Sequence, residues 1–193
     1  NTSDFLSDLM QQIDRLKSFS DLAGIGVSTA GPVDVVKGTI RNPANLGNGD
    51  ESWLCFELKE ELQKSSGLPV ALHNDAAMTA WGQFKYCEKE KTKDLVVVTL
   101  GTGLGVGAIV NGTNVGAGQN MHPELGHFIV SDRPDPDHPT PFANFQTMES
   151  YLSGFHFSNR IGKQFDDELS GTDLIRLSEK QDSRIMEAWD QYS

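Results

Sequence analysis

Apolar residues recur along the chain first at helical and then at strand spacing. Six of them share one face of a predicted helix for which Ser3 is a candidate N-cap: Phe5, Leu6, Leu9, Met10, Ile13 and Leu16. Buried strands are predicted over Leu22 to Ser28 and Val70 to His73, and helices over Trp53 to Ser65 and Ala76 to Tyr86. Strands that alternate with helices predict an α/β fold.

The second half of the chain repeats this alternation. A β-branched run, Leu95 to Leu100, predicts a strand, and Ala108 to Gly112 predicts another that ends in a hairpin turn. A further strand is predicted over Gly126 to Val130, and a long helix over Thr147 to Phe165. A final helical region begins at Thr172.

A lysine- and glutamate-rich stretch from Cys87 to Lys93 lies between the two halves. Its composition is typical of a solvated connection between packed segments. We therefore expect two domains, residues 1–92 and residues 93–193.

Charge and cysteine content narrow the class of protein. The 193 residues carry a formal net charge of −11 and no basic run, which disfavours a nucleic-acid partner. Cys55 and Cys87 are isolated, so neither a disulfide framework nor a cysteine zinc site is indicated, and the cytoplasm is the default location. No apolar stretch has the length of a membrane span and no signal peptide is recognised, so no membrane partner is expected.

The strongest local signal follows the strand Leu95 to Leu100, where every second residue from Gly101 to Gly107 is glycine. Successive amides in such a turn can bind a phosphate. The dinucleotide pattern G-x-G-x-x-G/A fits Gly103, Gly105 and Ala108, but the next residues predict a strand instead of a helix. No Gly-Lys-Ser/Thr follows, which excludes a Walker loop. A phosphate-binding turn and a ligand-free hairpin both stay open.

Asp75 follows a predicted strand and begins a predicted helix, within the segment His73-Asn74-Asp75. The carboxyl ends of strands form the preferred ligand edge of an open α/β sheet, and a carboxylate there can accept a proton from a hydroxyl nucleophile. The alternative is that Asp75 merely caps the helix.

Two further segments carry ionisable residues. His122, Glu124 and His127 lead into a predicted strand, and a carboxylate with an imidazole can bind neighbouring hydroxyls of a polyol. A zinc site is the alternative, although H-x-E-x-x-H differs from H-E-x-x-H and the segment does not read as a helix. Glu149 begins a predicted helix, where the helix dipole alone would favour a carboxylate.

Four segments together resemble the ROK family of sugar kinases (repressor, open reading frame, kinase), within the actin-like ATPase superfamily. In order they are GIGVSTAGPVD (24–34), LHNDAAMTAWGQ (72–83), LGTGLGVGAIVNG (100–112), and HPELGH (122–127) with MESYLSG (148–154). The resemblance covers nearly the whole chain, and four ordered motifs are more specific than any one alone. It implies a two-lobed actin-like ATPase fold of the ribonuclease H-like type.

The resemblance implies that a hexose or hexose derivative is phosphorylated on a hydroxyl by ATP with Mg²⁺. Asp75 would be the general base. Gly101, Thr102 and Gly103 would hold the ATP phosphates. The sugar contacts would be Asn45, Asn74, Glu124, His127 and Glu149. A homodimer stays open.

Two departures from the family pattern limit the resemblance. Many members carry a cysteine-rich zinc loop in which the Gly-His histidine, here His127, is a ligand; because Ser131 to Thr147 contains no cysteine, we expect no structural zinc. The family's first phosphate loop, Asp-x-Gly-Gly-Thr, and its adenosine-binding segment have no counterpart here. We therefore expect a fold that is incomplete at both ends. Residues 1–92 would be the remainder of a small domain, residues 93–193 part of a large one, and the chain alone would be inactive.

Several functions stay open within this resemblance. A glucokinase-like enzyme is the leading hypothesis. His122-Pro123-Glu124 also resembles fructokinases, and Glu149 to Gly154 resembles N-acetylhexosamine kinases. From other classes, a sugar-responsive transcriptional regulator is disfavoured by the acidic charge and by the presence of Asp75, and a non-catalytic sugar-binding fragment remains an alternative.

Overall fold

A computed structural model describes residues 1–43, 46, 49–87, 92–118, 121–133, 135, 145–165 and 169–192 of the chain. These residues form two compact units. The first unit comprises residues 1–97 and 106–123, and the second comprises residues 98–105 and 124–193. The chain therefore passes from one unit to the other three times.

The first unit opens with helix α1 (Thr2–Lys17), as its apolar spacing predicts. Its N-cap is Asn1, whose side chain accepts a hydrogen bond of 3.0 Å from the Asp4 amide. The expectation that Ser3 caps this helix is therefore wrong, because the cap lies two residues earlier and Ser3 is within the helix.

A small parallel sheet and a hairpin follow. Strand β1 (Ile25–Thr29) precedes the antiparallel pair β2 (Val33–Asp34) and β3 (Thr39–Ile40). Helix α2 (Leu58–Ser66) then leads to strand β4 (Val70–Asn74), which pairs in parallel with β1. The parallel register brings the carboxyl ends of β1 and β4 to the same edge.

The core of the first unit lies between α1, α2 and these strands. Phe5, Trp53 and Phe56 meet edge to face, with ring centroids 5.1 to 6.5 Å apart. The helix predicted over Trp53 to Ser65 is shorter than expected, because Phe56 exchanges two backbone hydrogen bonds of 2.9 Å with Ile40. Trp53 instead ends a single 3₁₀ turn, Glu51–Trp53.

The remaining elements of the first unit continue past β4. Helix α3 (Asp75–Gly82) ends in a π-helical turn, Gln83–Cys87. Strands β5 (Leu95–Leu100), β6 (Leu104–Val110) and β7 (Thr113–Asn114) then form a sheet in that order, and β5 and β6 each have residues in both units. The Asn111-Gly112 turn that joins β6 to β7 has positive φ at both residues, as the predicted hairpin requires.

The second unit is mainly helical. A strand pair, β8 (Ile129–Ser131) and β9 (Gln146–Thr147), precedes its helices, which are α4 (Met148–Leu152), α5 (Gly154–Phe165), α6 (Gly171–Glu179) and α7 (Ser183–Tyr192). Apolar residues of the last three helices form its core: Phe157, Ile161, Leu174, Ile185 and Ala188. In the part of the chain that the structure describes, no helix has the length and apolar character needed to cross a membrane.

Two sequence expectations in the second unit are corrected. The helix predicted over Thr147 to Phe165 is broken at Ser153, whose backbone is extended. The strand predicted over Gly126 to Val130 begins only at Ile129, since Leu125–His127 forms a 3₁₀ turn.

Candidate active site

In the first unit, the predicted catalytic segment lies where β4 ends and α3 begins. Asn74 is the last residue of β4, pairs in register with Thr29 of β1, and is buried. Asp75 is the first residue of α3 and is exposed. Its carboxylate therefore lies at the carboxyl edge of the parallel pair, as predicted, where solutes can reach it.

The N-cap of α3 is Asn74, so the alternative that Asp75 serves as the cap is wrong. Asn74 Oδ1 accepts a hydrogen bond of 3.1 Å from the Ala77 amide, and its Nδ2 donates one of 3.4 Å to the Gly31 carbonyl. The cap thus uses the neighbouring side chain, while Asp75 Oδ1 accepts a hydrogen bond of 2.9 Å from the adjacent Ala76 amide. This arrangement fixes the backbone of Asp75 and leaves its carboxylate at the surface.

His73 orients the same segment, a role that the sequence analysis did not assign. The Asn74 amide donates a hydrogen bond of 2.9 Å to His73 Nδ1, which requires a neutral ring with its proton on Nε2. Burial lowers the pKa of His73 below its usual value, and the nearby His122 lowers this pKa further. Both causes keep the ring in the neutral form that can accept the Asn74 amide.

We expect the His73 ring to titrate below the ordinary imidazole value of 6.5. Because its pKa is lower in the folded than in the unfolded state, the unfolded chain binds more protons as the pH falls through 6.5. The stability that neutral His73 contributes is therefore complete above this pH and declines as the pH falls towards the folded pKa. NMR titration measures the midpoint, with His73→Gln to assign the signal. A midpoint at or above 6.5 would contradict the expectation.

In the second unit, Glu149 connects the start of α4 to the glycine-rich turn between β5 and β6. Its Oε2 accepts a hydrogen bond of 2.8 Å from the Leu104 amide, and its Oε1 lies 3.6 Å from His127 Nε2. A Cβ atom at position 103 would lie 2.6 Å from Glu149 Oε2, so the carboxylate would have to move from this position if the residue were not glycine. Glu149 is therefore more than a helix-dipole carboxylate.

The backbone amides at the start of α5 donate hydrogen bonds to the same glycine turn. The Gly154 amide donates a hydrogen bond of 2.8 Å to the Gly101 carbonyl, and the Phe155 amide donates one of 3.4 Å to the Thr102 carbonyl. In a planar trans peptide the N–H points opposite to the C=O. The amides of Thr102 and Gly103 therefore both point away from α5, where they could serve as donors to an anion.

The structure groups the predicted site residues into two sets. Asn74 and Asp75 lie together in the first unit. The second unit brings the glycine turn, Glu149 and His127 together, and the exposed Glu124 is joined to them through its carbonyl, which accepts the His127 amide at 3.1 Å. Asn45 lies outside the described residues.

Sequence analysis missed the two α5 amides that orient the turn. Gly154, directly after Ser153, was the available signal, since a glycine there permits close approach of two backbones: a Cβ atom at this position would lie 2.8 Å from the Gly101 carbonyl oxygen. Among the described residues, no group of three or more His, Cys, Asp or Glu side chains is arranged to hold a metal ion.

Solved structures share this fold at low sequence identity. The ROK family glucokinase from Streptomyces griseus, in complex with glucose and AMPPNP, aligns with a TM-score of 0.78 and 22% identity, over 96% of this chain and 62% of that one. A ROK family transcriptional regulator, a homologue of the E. coli MLC protein, aligns with a TM-score of 0.78 and 18% identity, over 98% of this chain and 50% of that one. These likenesses concern the fold alone, and they confirm the predicted α/β fold of the actin-like type.

The chain belongs to the ROK family, whose sequence profile matches residues 1–193. The glucokinase of Halalkalibacterium halodurans is 36% identical to it over 114 residues, which is 59% of this chain and 33% of that protein. The matched region is thus about a third of that relative's length. A match of this extent supports the family and leaves the activity of the whole protein to be proposed.

Proposed function

We propose that the full-length protein transfers the γ-phosphoryl group of MgATP to a hydroxyl of a hexose, with glucose as the preferred sugar. The observation that carries this proposal is the contact between Glu149 and the glycine turn. One carboxylate oxygen binds the Leu104 amide and the other faces His127, so groups suited to a polyol lie directly beside paired amides suited to a phosphate.

In the proposed reaction, Asp75 accepts the proton of the attacking sugar hydroxyl. The Thr102 and Gly103 amides, with Gly101 and the Thr102 hydroxyl, hold the ATP phosphates. Bound together with ATP, Mg²⁺ would supply positive charge that offsets the negative charge of the phosphate oxygens. The protein's contribution is chiefly positioning and charge stabilisation, as in phosphoryl transfer generally.

The sugar contacts are proposed from the same geometry. Glu149 and His127 present a carboxylate and an imidazole that bind adjacent hydroxyls, and Glu124 lies three residues before His127. Asn74 contributes at the strand end of the first unit, and Asn45 keeps the role that the resemblance implies. Residues 1–92 would supply the base and the sugar contacts of Asn45 and Asn74, and residues 93–193 the phosphate-binding turn and the other sugar contacts. A cytoplasmic location remains a prediction of the sequence, and a homodimer stays open.

Measurement of ADP release by the full-length protein over a panel of sugars tests the proposal. We expect release to depend on the sugar and glucose to give the highest kcat/KM, ahead of fructose, N-acetylglucosamine and N-acetylmannosamine. A different preferred hexose would support a fructokinase or N-acetylhexosamine kinase instead. Sugar binding without ADP release would contradict the kinase and favour a regulator or a sugar-binding protein. The 193-residue chain alone is expected to release little ADP.

A further inference from the structure

The break between α4 and α5 leaves two carbonyls and two amides without their usual helical partners. In a continuous helix, the Gly154 and Phe155 amides would donate to the Ser150 and Tyr151 carbonyls, four residues earlier. Here both amides donate to the glycine turn instead, at the carbonyls of Gly101 and Thr102. The Ser150 and Tyr151 carbonyls therefore need other donors.

Arg160 of α5 supplies those donors. Its guanidinium donates hydrogen bonds of 3.3 Å to the Ser150 carbonyl and 2.8 Å to the Tyr151 carbonyl. A planar fork of N–H groups suits two neighbouring carbonyls, and its charge is favourable at the C-terminal end of a helix. One side chain thus replaces both amides that the glycine turn has taken.

We propose that Arg160 is a positioning residue that maintains the break between α4 and α5, and thereby holds Glu149 and the glycine turn in their working arrangement. This inference rests on the proposed function for its effect on catalysis. Without Arg160, the Ser150 and Tyr151 carbonyls compete for the Gly154 and Phe155 amides. Recovering those amides would release the turn and move α4, which carries Glu149.

A small movement of α4 would disturb the contacts that Glu149 makes with the Leu104 amide and His127. α4 has only five residues, Met148–Leu152, and its N-terminal end is already fixed by a capping box between Thr147 and Ser150. Two contacts hold its C-terminal end. The Ser153 amide donates a hydrogen bond of 3.0 Å to the Glu149 carbonyl, and Arg160 donates to the Ser150 and Tyr151 carbonyls. A shift of about 1 Å in such a group can reduce catalysis by about 10²-fold.

The test compares Arg160→Leu, Arg160→Lys and the control Arg176→Leu in the full-length protein. Arg176 is a matched control, because its side chain is exposed on α6 and its guanidinium lies 3.6 Å from the Asp173 carboxylate, one turn earlier on the same helix. We expect Arg160→Leu to lower kcat/KM for the sugar by about 10- to 100-fold. Arg160→Lys should restore part of the lost kcat/KM, since an ammonium can donate to one carbonyl. Arg176→Leu should keep kcat/KM within about twofold of the wild-type value.

A double-mutant cycle separates positioning from a general structural role. If Arg160 acts through Glu149, Arg160→Leu should have a much smaller effect on the sugar kcat/KM in the Glu149→Gln background than in the wild type. Equal effects in both backgrounds, or no effect in the wild type, would overturn the proposal.

A readout without turnover keeps this test separate from that of the proposed function. Arg160→Leu should shift the NMR signals of the Leu104, Gly154 and Phe155 amides and speed the hydrogen exchange of Leu104, while Arg176→Leu should change none of them. If the wild type releases no ADP with any sugar but these amides respond, the kinase proposal fails and the positioning role stands. Unchanged amides in Arg160→Leu would overturn the positioning role, whatever the enzyme does.

Discussion

Replacing Asp75 by Asn is expected to lower kcat for sugar phosphorylation by about 10²- to 10⁴-fold, the range that a positioned general base contributes. Asparagine keeps the shape of the side chain and an oxygen that can accept the Ala76 amide, as Asp75 Oδ1 does at 2.9 Å. It cannot take up the proton of the attacking hydroxyl. The measurement is the kcat for ADP release at saturating sugar and MgATP in the full-length protein.

Sugar binding should survive the same substitution, since Glu149, His127 and Glu124 are unchanged by it. Asp94→Asn is a matched control, because Asp94 is also exposed and its Oδ1 also accepts a backbone amide, that of Asn111, at 2.8 Å. The control should keep kcat within about twofold of wild type. If Asp75→Asn turned over at a rate near that of the wild type, Asp75 would not be the base. If it lost sugar binding as well, its effect would not be specific to proton transfer.

The local elements could be predicted because their signals are contained in a few consecutive residues. The apolar spacing from Phe5 to Leu16 predicts α1, and the run Val70 to His73 followed by small residues predicts β4 and α3. The Asn111-Gly112 pair predicts the hairpin between β6 and β7 for the same reason.

The features that sequence analysis missed depend on partners distant in the chain. Apolar spacing continues across Ser153, and although Gly154 permits a close approach of two backbones, the sequence does not show that its amide is donated to Gly101 and that the helix must end. Likewise, Phe56 leaves the predicted helix because it pairs with Ile40, sixteen residues earlier. Tertiary contacts override local propensity at both places.

The residues of the candidate site show the same difference between local and distant information. Asp75, Glu149 and the glycine turn could be named from motifs, because the types and order of these residues carry the information. The roles of His73 and Asn74 could not, since capping and ring tautomer depend on the hydrogen bonds that the fold creates. Motifs thus nominate the candidate residues, while the structure identifies which neighbours hold them.

Replacing Gly107 by Ala is expected to destabilise the protein by about 1–3 kcal/mol, the usual cost of overpacking a close contact. A Cβ atom at this position of β6 would lie 2.4 Å from the Ala76 carbonyl oxygen and 2.6 Å from Ala80 Cβ. Neither atom can rotate away, because one belongs to the backbone of α3 and the other is fixed to it. Helix α3 would have to move away from β6, and Asp75 would move with it because it is the first residue of this helix.

Gly26→Ala is the matched control, since Gly26 is also a strand glycine but a Cβ atom there has no heavy atom within 4 Å. This change should be neutral or stabilise by up to about 1 kcal/mol, because alanine loses less backbone entropy than glycine on folding. Thermal unfolding of the full-length protein should therefore separate the two variants by several degrees, with Gly107→Ala the lower. Equal midpoints would contradict the close packing of α3 on β6. A lower kcat in Gly107→Ala at a temperature where it remains folded would connect that packing to Asp75, since the helix that must move to admit the added methyl group begins at this proposed base.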